Sequence, residues 1–286
     1  MIDCHVHVGG VPEHFTNEFA LEMMSSCDKD EKEMSVHPET LLAEMKENGV
    51  ERAFILAFNA KRTLNIDVTN QYVSELCNRY PKQFIGFASF DGASLPNAKV
   101  LRSKMDCMGL SGYKIASAYL DLSPSDPAWY PLYADASQNN LPVLVHMGYT
   151  PIKKARIKYC HPSHLKPVLK RFPDLKLIIA HMAWPWVQQT IQILSEYQNV
   201  YADLSIVAVY QPLKKVADII CEAKKNGVVE KILWGSDYPM SSLKECKGRI
   251  IQLKGYMEDA DRKLLTDAEW AQILYLNAIK LIPVKV

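Results

Sequence analysis

Met1-Ile2-Asp3-Cys4-His5-Val6-His7 opens the chain, a short apolar run carrying two histidines two residues apart. In a β-strand, residues i and i+2 point to the same face, so the rings of His5 and His7 can converge on one metal ion. Alone, a His-x-His pair is a weak signal. Three later apolar runs end in the same manner. His146 closes Leu141-Pro-Val-Leu-Val-His146, His181 closes Leu175-Lys-Leu-Ile-Ile-Ala-His181, and Asp237 closes Ile232-Leu-Trp-Gly-Ser-Asp237. Polar residues placed one by one at the C-terminal ends of buried strands are how a parallel barrel builds a metal site.

Working outward, eight β-rich runs can be read: 2–8, 52–58, 84–90, 110–116, 142–147, 176–181, 200–204 and 231–236. Most are apolar throughout, as parallel strands buried on both faces require. Most recur at roughly 30 residues, the length of a strand plus its crossover helix. The segments between them read as helices. One covers 38–48, with Pro38 at its start, acids early and Gly49 at its end. Others are expected over 67–80 before Pro81, over 162–172 before Pro173, and over 211–226 before Gly227. The pattern predicts an α/β fold, a (β/α)8 TIM barrel, as one domain over 1–286, with extra C-terminal helices including 259–282. An open doubly wound sheet is the alternative, but no Gly-x-Gly-x-x-Gly follows the first run. The stretch from Val8 to His37 exceeds any ordinary connection and is either a lid over the catalytic face or a solvated decoration.

Composition narrows the classes. The 286 residues are 48% hydrophobic and 23% charged, with a net charge of +1. That is an ordinary globule with a substantial core and no polyanion-binding bias. No nucleic-acid motif, signal peptide or membrane span is read, so a cytoplasmic chain with a small-molecule substrate is expected, with homodimerisation left open. The seven cysteines are scattered and odd in number, without a Cys-x-x-Cys pair, which suits reduced thiols.

Parity sharpens the site. On the fourth run Leu110, Gly112, Lys114 and Ala116 share a face, so Lys114 is expected to point into the barrel. The same reasoning groups Leu177, Ile179 and His181, and Leu233, Gly235 and Asp237. Cys4 has the opposite parity to His5 and His7 and is expected to face the helices. Asp3 shares their parity and is a candidate acceptor for the Nδ1–H of a ligand histidine. Neutral imidazoles with one carboxylate suit zinc, whose bound water has its pKa lowered towards ~7. Asp237 is then both a ligand and a proton acceptor, and His181 a fifth ligand or a donor to developing oxyanion charge. His14, His37, His161 and His164 fall in loops or at helix starts and read as surface residues. A basic cluster, Lys153, Lys154, Arg156 and Lys158, is either a solvated loop or, with Lys114, a carboxylate-binding group.

These residues carry a resemblance. Asp3-x-His5-x-His7, Pro142-Val-Leu-Val-His146, Phe172-Pro-Asp-Leu-Lys-Leu-Ile-Ile-Ala-His181-Met, Ile232-Leu-Trp-Gly-Ser-Asp237-Tyr-Pro and the terminal Asn277-Ala278 resemble the amidohydrolase superfamily. The chain is most similar to its amidohydrolase-2 branch, which also holds aminocarboxymuconate-semialdehyde decarboxylase, resorcylate-type decarboxylases and a pyrone-dicarboxylate lactonase. The resemblance implies one divalent metal, usually zinc, with His5, His7, His146 and Asp237 matching its ligands and His181 a sixth-strand catalytic histidine. Trp234 stands where a Phe is expected. His181-Met-Ala-Trp-Pro-Trp186 replaces the glycine-rich segment of the decarboxylases, which makes Trp186 a candidate wall of the substrate pocket. A fourth-strand lysine is carboxylated in binuclear relatives and a plain cation in mononuclear ones; Lys114 is read as the latter. The implied activity is metal-dependent hydrolysis of a C–O or C–N bond in a small carboxylate-bearing substrate, with Lys114 and Arg156 as its cationic contacts. The alternative is nonoxidative decarboxylation of an aromatic or muconate-like acid. A binding protein on a barrel scaffold would require degraded ligand positions, and all are intact.

Overall fold

The computed structural model describes residues 1–259 and 265–282. Eight parallel strands run in chain order around a barrel: Ile2–His7, Arg52–Leu56, Phe84–Ser89, Gly112–Ile115, Val143–Val145, Leu177–Ile179, Val200–Asp203 and Ile232–Leu233. Each lies within one of the expected runs. The first and eighth strands meet through Cys4 N–H to Trp234 O (3.1 Å) and His7 N–H to Tyr238 O (2.8 Å), which nearly closes the cylinder. The architecture is therefore a TIM barrel, and every strand's C-terminal end faces the same mouth.

Two apolar layers hold it. Inside the barrel Phe54, Leu56, Ile85, Phe87, Leu144, Ile178 and Leu233 pack together, with Ala278 and Leu281 of the C-terminal segment against them. Outside, the opposite strand residues, among them Tyr113, Ile115, Val143 and Val145, pack under the helices. Gly112 is needed where the inner layer is tightest, because a Cβ there would lie 2.5 Å from the Phe87 ring.

The helix over Pro38–Asn48 has the expected bounds, with Gly49 in the left-handed region at φ 72° as its cap. The expected helix from 67 starts later, at Asn70, where the Thr69 hydroxyl accepts from Tyr72 N–H. The preceding Ile66–Val68 instead pairs antiparallel with Phe58–Ala60. The 162–172 segment begins as a 3-10 turn, Pro162–Leu165, before Lys166–Arg171. Gln211–Asn226 forms a helix over Leu213–Lys225. Of the expected helix over 259–282, the described part runs from Asp267 to Ile279, with a π-turn at Gln272–Leu276; 260–264 lie outside the described residues. No helix among the described residues is long and apolar enough to cross a membrane.

Strand parity fails at three places. Leu110, just before the fourth strand, packs outward beside Val73 and not on the face of Lys114; the other two failures have a backbone reason. The first strand is irregular between Asp3 and Val6, so alternation breaks. Cys4 consequently packs in the barrel interior beside Ile2, not under the helices, while Val6 joins the outer layer. On the sixth strand Leu177 and Ile179 face outward and Ile178 and Ala180 inward. His181 does not share their face by alternation; it reaches the mouth because the chain turns left-handed there, at φ 56° and ψ 28°.

Asn277 ties the last segment to the eighth strand. Its buried Nδ2 donates to Val229 O (3.0 Å) and Ile232 O (2.8 Å). Asn277→Ala leaves both carbonyls without that donor and should cost about 1–3 kcal/mol. The measurement is a lowered urea midpoint at unchanged m-value.

Candidate metal centre

Four strand ends and one turn assemble the site. His5 and His7 come from the first strand, Lys114 from the fourth, His146 follows the fifth, His181 the sixth, and Asp237 the eighth. His5 Nε2 and His7 Nε2 lie 3.1 and 3.4 Å from Asp237 Oδ1. One donor atom from each of the three falls within 4.8 Å of the others. Despite these approaches, among the described residues Asp237 Oδ1 makes no hydrogen bond of good geometry and buried His7 Nδ1 has no partner. Two imidazole nitrogens aimed at one carboxylate oxygen without hydrogen-bonding it is the arrangement a cation between them would satisfy. The donor set therefore fits a divalent ion. His146 stands beside this group, its ring 5.2 Å from that of His181, and it is not one of the three closest donors.

Protonation states agree with this. Burial, reinforced by neighbouring Lys114, pushes His5 and His7 down, and burial followed by His181 and Lys114 does the same to His146. All three are neutral at pH 7, as metal ligation requires. Burial opposes ionisation of Asp237, and what lowers its carboxyl is positive charge on His5, His181 and His7, which those rings carry only when protonated. Burial pulls Lys114 down to about 8.

Asp203, at the end of the seventh strand, organises the histidines. Its Oδ2 accepts from His5 Nδ1–H at 3.0 Å, and its Oδ1 accepts from His181 N–H (2.9 Å), Ser205 N–H (3.1 Å) and the Ser205 hydroxyl. With its Nδ1 proton committed, His5 presents a lone pair at Nε2, where Lys114 Nζ now donates at 3.0 Å. With its own proton on Asp203, Ser205 Oγ accepts from His181 Nδ1–H (2.8 Å), so His181 also presents a bare Nε2. In that tautomer His181 offers Nε2 at the cavity lining as an acceptor or ligand.

Asp203 was missed by the sequence reading, although it ends an apolar run as His146 and Asp237 do. Asp3, expected to hold a ligand ring, instead accepts from His5 N–H (3.0 Å), Ser236 N–H (3.0 Å) and Ser236 Oγ–H (2.6 Å). It locks the first strand to the eighth, and burial raises it to about 7. Asp203→Asn should weaken metal affinity by about 10- to 100-fold, as loss of an outer carboxylate does, with the fold retained. Competition for zinc against a chromogenic chelator reads this.

The excursion from Val8 to His37 closes the mouth and is not a solvated decoration. Phe15, Phe19, Met23 and Met34 line the cavity above His7, His146, His181 and Asp237. Its helix, Asn17–Ser25, is stitched to the loop after the fifth strand by Glu18–Lys154 (2.9 Å) and Glu22–Lys153 (3.6 Å). A connected cavity of about 210 Å³ extends outward between Tyr119, Tyr149, Trp184, Ile206 and Tyr210.

Of the residues expected to hold a substrate carboxylate, Lys114 alone is brought to the site. It is 1% exposed, with Nζ 3.0 Å from His5 Nε2, and it does not line the cavity. Arg156 pairs with Asp121 at 3.2 Å, and both are substantially exposed. Trp186 packs against His161, ring centroids 5.1 Å apart; the indole in the cavity wall is Trp184. The physical reason is the left-handed run His181, Met182 and Ala183, at φ 56°, 50° and 48°, which redirects the segment. Such backbone costs about 1–3 kcal/mol per residue and clusters at functional sites. Ile206 (φ 63°) and Asp237 (φ 57°) add to it at the same mouth.

A family model described as amidohydrolase matches residues 2–284. The chain belongs to the amidohydrolase family. A likeness in fold extends to an uncharacterised TIM-barrel protein of Bordetella bronchiseptica, 22% identical at TM-score 0.77, covering 98% of each chain. It extends also to a probable 2-pyrone-4,6-dicarboxylic acid hydrolase of Acinetobacter baumannii, solved with citric acid bound, 16% identical at TM-score 0.70 and covering 98% of each chain. A third is 5-carboxyvanillate decarboxylase of Novosphingobium aromaticivorans, complexed with manganese and 4-hydroxy-3-methoxy-5-nitrobenzoic acid. It is 14% identical at TM-score 0.68, covering 98% of this chain and 95% of that one. Among curated proteins, protein fluG of Emericella nidulans is 24% identical over 104 residues, 36% of this chain and 12% of fluG. The chain thus matches only about an eighth of that relative's length.

Proposed function

We propose that this amidohydrolase-family enzyme hydrolyses a C–O or C–N bond of a small substrate at one divalent metal. The observation that carries the reading is Asp237, a buried carboxylate that lines the cavity and lies within 3.4 Å of two imidazole nitrogens. His5, His7 and Asp237 would hold the ion, with His146 at its open side; the nitrogen-rich donor set favours zinc. When bound, a divalent ion polarises a carbonyl and acidifies water.

The chain's own residues supply the rest. Asp203 keeps His5 and His181 in the tautomers that present Nε2. Asp237 takes a proton from water at its carboxylate and returns it to the leaving oxygen or nitrogen. Phe15, Phe19 and Met34 cover the centre and limit bulk water.

Decarboxylation of an aromatic acid is the second reading. It is favoured by the ring-lined cavity, which would desolvate a carboxylate, and by the aromatic-acid decarboxylase that shares the fold. Side-by-side assays with aryl esters, anilides and hydroxybenzoates decide between them. Released acid with alcohol or amine supports hydrolysis; released carbon dioxide overturns it. Lys114→Met should leave metal content at about one per chain, because His5, His7 and Asp237 would still hold the ion without the amine. A fall from two ions to one on elemental analysis would mark a bridging, carboxylated lysine.

A further inference from the structure

The hydroxyls around the outer cavity differ in where their protons go. Ser26 Oγ–H donates to Met23 O (2.6 Å), Tyr210 Oη–H to Met240 O, and Tyr119 Oη–H to Thr150 Oγ1 (2.8 Å). Each of those protons is spent inside the protein. Tyr149 is 62% exposed and is served by solvent. Thr150 is unlike all of them. It is 3% exposed and lines the cavity with Tyr119, His146 and His181. Its Oγ1 accepts twice, from Tyr119 Oη–H and from Ile152 N–H (3.3 Å). A hydroxyl oxygen has two lone pairs and one proton. Both lone pairs are taken, and among the described residues the Thr150 proton has no acceptor. Cβ, Tyr119 and Ile152 occupy the other directions around that oxygen, and the space Thr150 borders is the cavity. Buried donors are nearly always paired, so an acceptor on a molecule in the cavity would complete this one.

The position of Thr150 adds to this. Tyr119 Oη, one hydrogen bond away, is also 3.5 Å from Nε2 of His146, which stands at the open side of the proposed metal centre. Tyr119 is itself fixed from behind. Its carbonyl accepts from Thr63 Oγ1–H, and its ring centroid lies 5.4 Å from that of Phe58. An atom hydrogen-bonded to Thr150 therefore lies close to the group that reacts.

We propose that Thr150 is a substrate-binding residue, whose hydroxyl donates to an acceptor oxygen or nitrogen that the substrate carries beside its reacting group, with Tyr119 as the residue that positions it. This rests on the reading of the cavity as the substrate site, and it is independent of which bond is broken. A substrate without that acceptor leaves a buried donor unpaired, so Thr150 selects against it.

The test is binding of acetophenone, one ring with one carbonyl acceptor, to zinc-loaded protein whose metal content is checked first. In wild type the carbonyl stretch of the bound ketone, read by infrared difference spectroscopy with an isotopically labelled carbonyl, should fall below its position in hydrocarbon solvent. Thr150→Ser keeps the proton and should keep the band, with Kd within about twofold. Thr150→Val keeps the shape and loses the proton. Its band should return towards the hydrocarbon position and its Kd rise about 3- to 10-fold, the worth of one neutral hydrogen bond. A wild-type band at the hydrocarbon position overturns the proposal whether or not the variants fold, as does failure of acetophenone to bind at millimolar concentration. A band shared by wild type and Thr150→Val, which a ketone held by the metal alone would give, also overturns it. So does a Thr150→Val protein that loses thermal stability and keeps its Kd, because the hydroxyl would then only brace Tyr119 and Ile152. These readouts need no turnover. Absence of hydrolysis would sink the hydrolase reading and leave the Thr150 contact to be judged by itself, so the two failures are distinguishable.

Discussion

Asp237→Asn is expected to lower turnover by about 10²- to 10⁴-fold while the barrel stays folded. The amide keeps the volume and one oxygen that can still face His5 Nε2 and His7 Nε2. It cannot accept a proton at neutral pH, and accepting one is the role proposed for this residue from its place in the cavity wall beside the two imidazoles. The loss should fall on kcat, because the ring-lined outer cavity that binds the substrate is untouched. Far-ultraviolet circular dichroism and metal content are measured in the same preparation. A variant that is folded, metal-loaded and within threefold of wild-type kcat removes Asp237 from proton transfer. Loss of metal with loss of activity would show that ligation alone is its contribution.

His5→Ala should abolish metal binding altogether, from about one ion per chain to background on elemental analysis. His5 is where the two networks cross. Its Nε2 faces Asp237 and Lys114, and its Nδ1 is fixed by Asp203. Truncation deletes a ligand and leaves Asp203 Oδ2 and Lys114 Nζ buried without that partner, so a fall in stability of about 1–3 kcal/mol accompanies it. Asp203→Asn is the comparison that separates the two effects: it should weaken the metal without eliminating it. If His5→Ala retains stoichiometric zinc, the ion is held elsewhere, and the His5–His7–Asp237 assignment falls.

The two variants probe different depths of one device. Asp237 borders the cavity, where its proposed action is on substrate. His5 lies behind it, fully buried, and its proposed action is through the metal and its own hydrogen bonds. The lid completes the device, since Phe15, Phe19 and Met34 reach the centre only because the Val8–His37 excursion folds back over the mouth.

Much of this was legible in the residues alone. Period and composition located all eight strands, because parallel strands buried on both faces must be apolar and must be spaced by crossover helices. Residues at strand ends face the mouth in any such barrel, which is why His5, His7, His146, His181 and Asp237 could be gathered from distant positions. Parity placed Lys114 inside the barrel, where its Nζ meets His5 Nε2. Tertiary structure decided the rest. The irregularity between Asp3 and Val6 turned Cys4 inward, and a left-handed turn carried His181 to the mouth; each depends on backbone dihedrals that no periodicity records. Asp203 displaced Asp3 as the acceptor for His5, since which carboxylate meets which ring is set by adjacency of the seventh and first strand ends across the mouth. The basic loop's charges were visible in the chain, but their direction was not. Glu18, Glu22 and Asp121 lie far from it in sequence and beside it in space, and by pairing with it they leave the cavity to its rings.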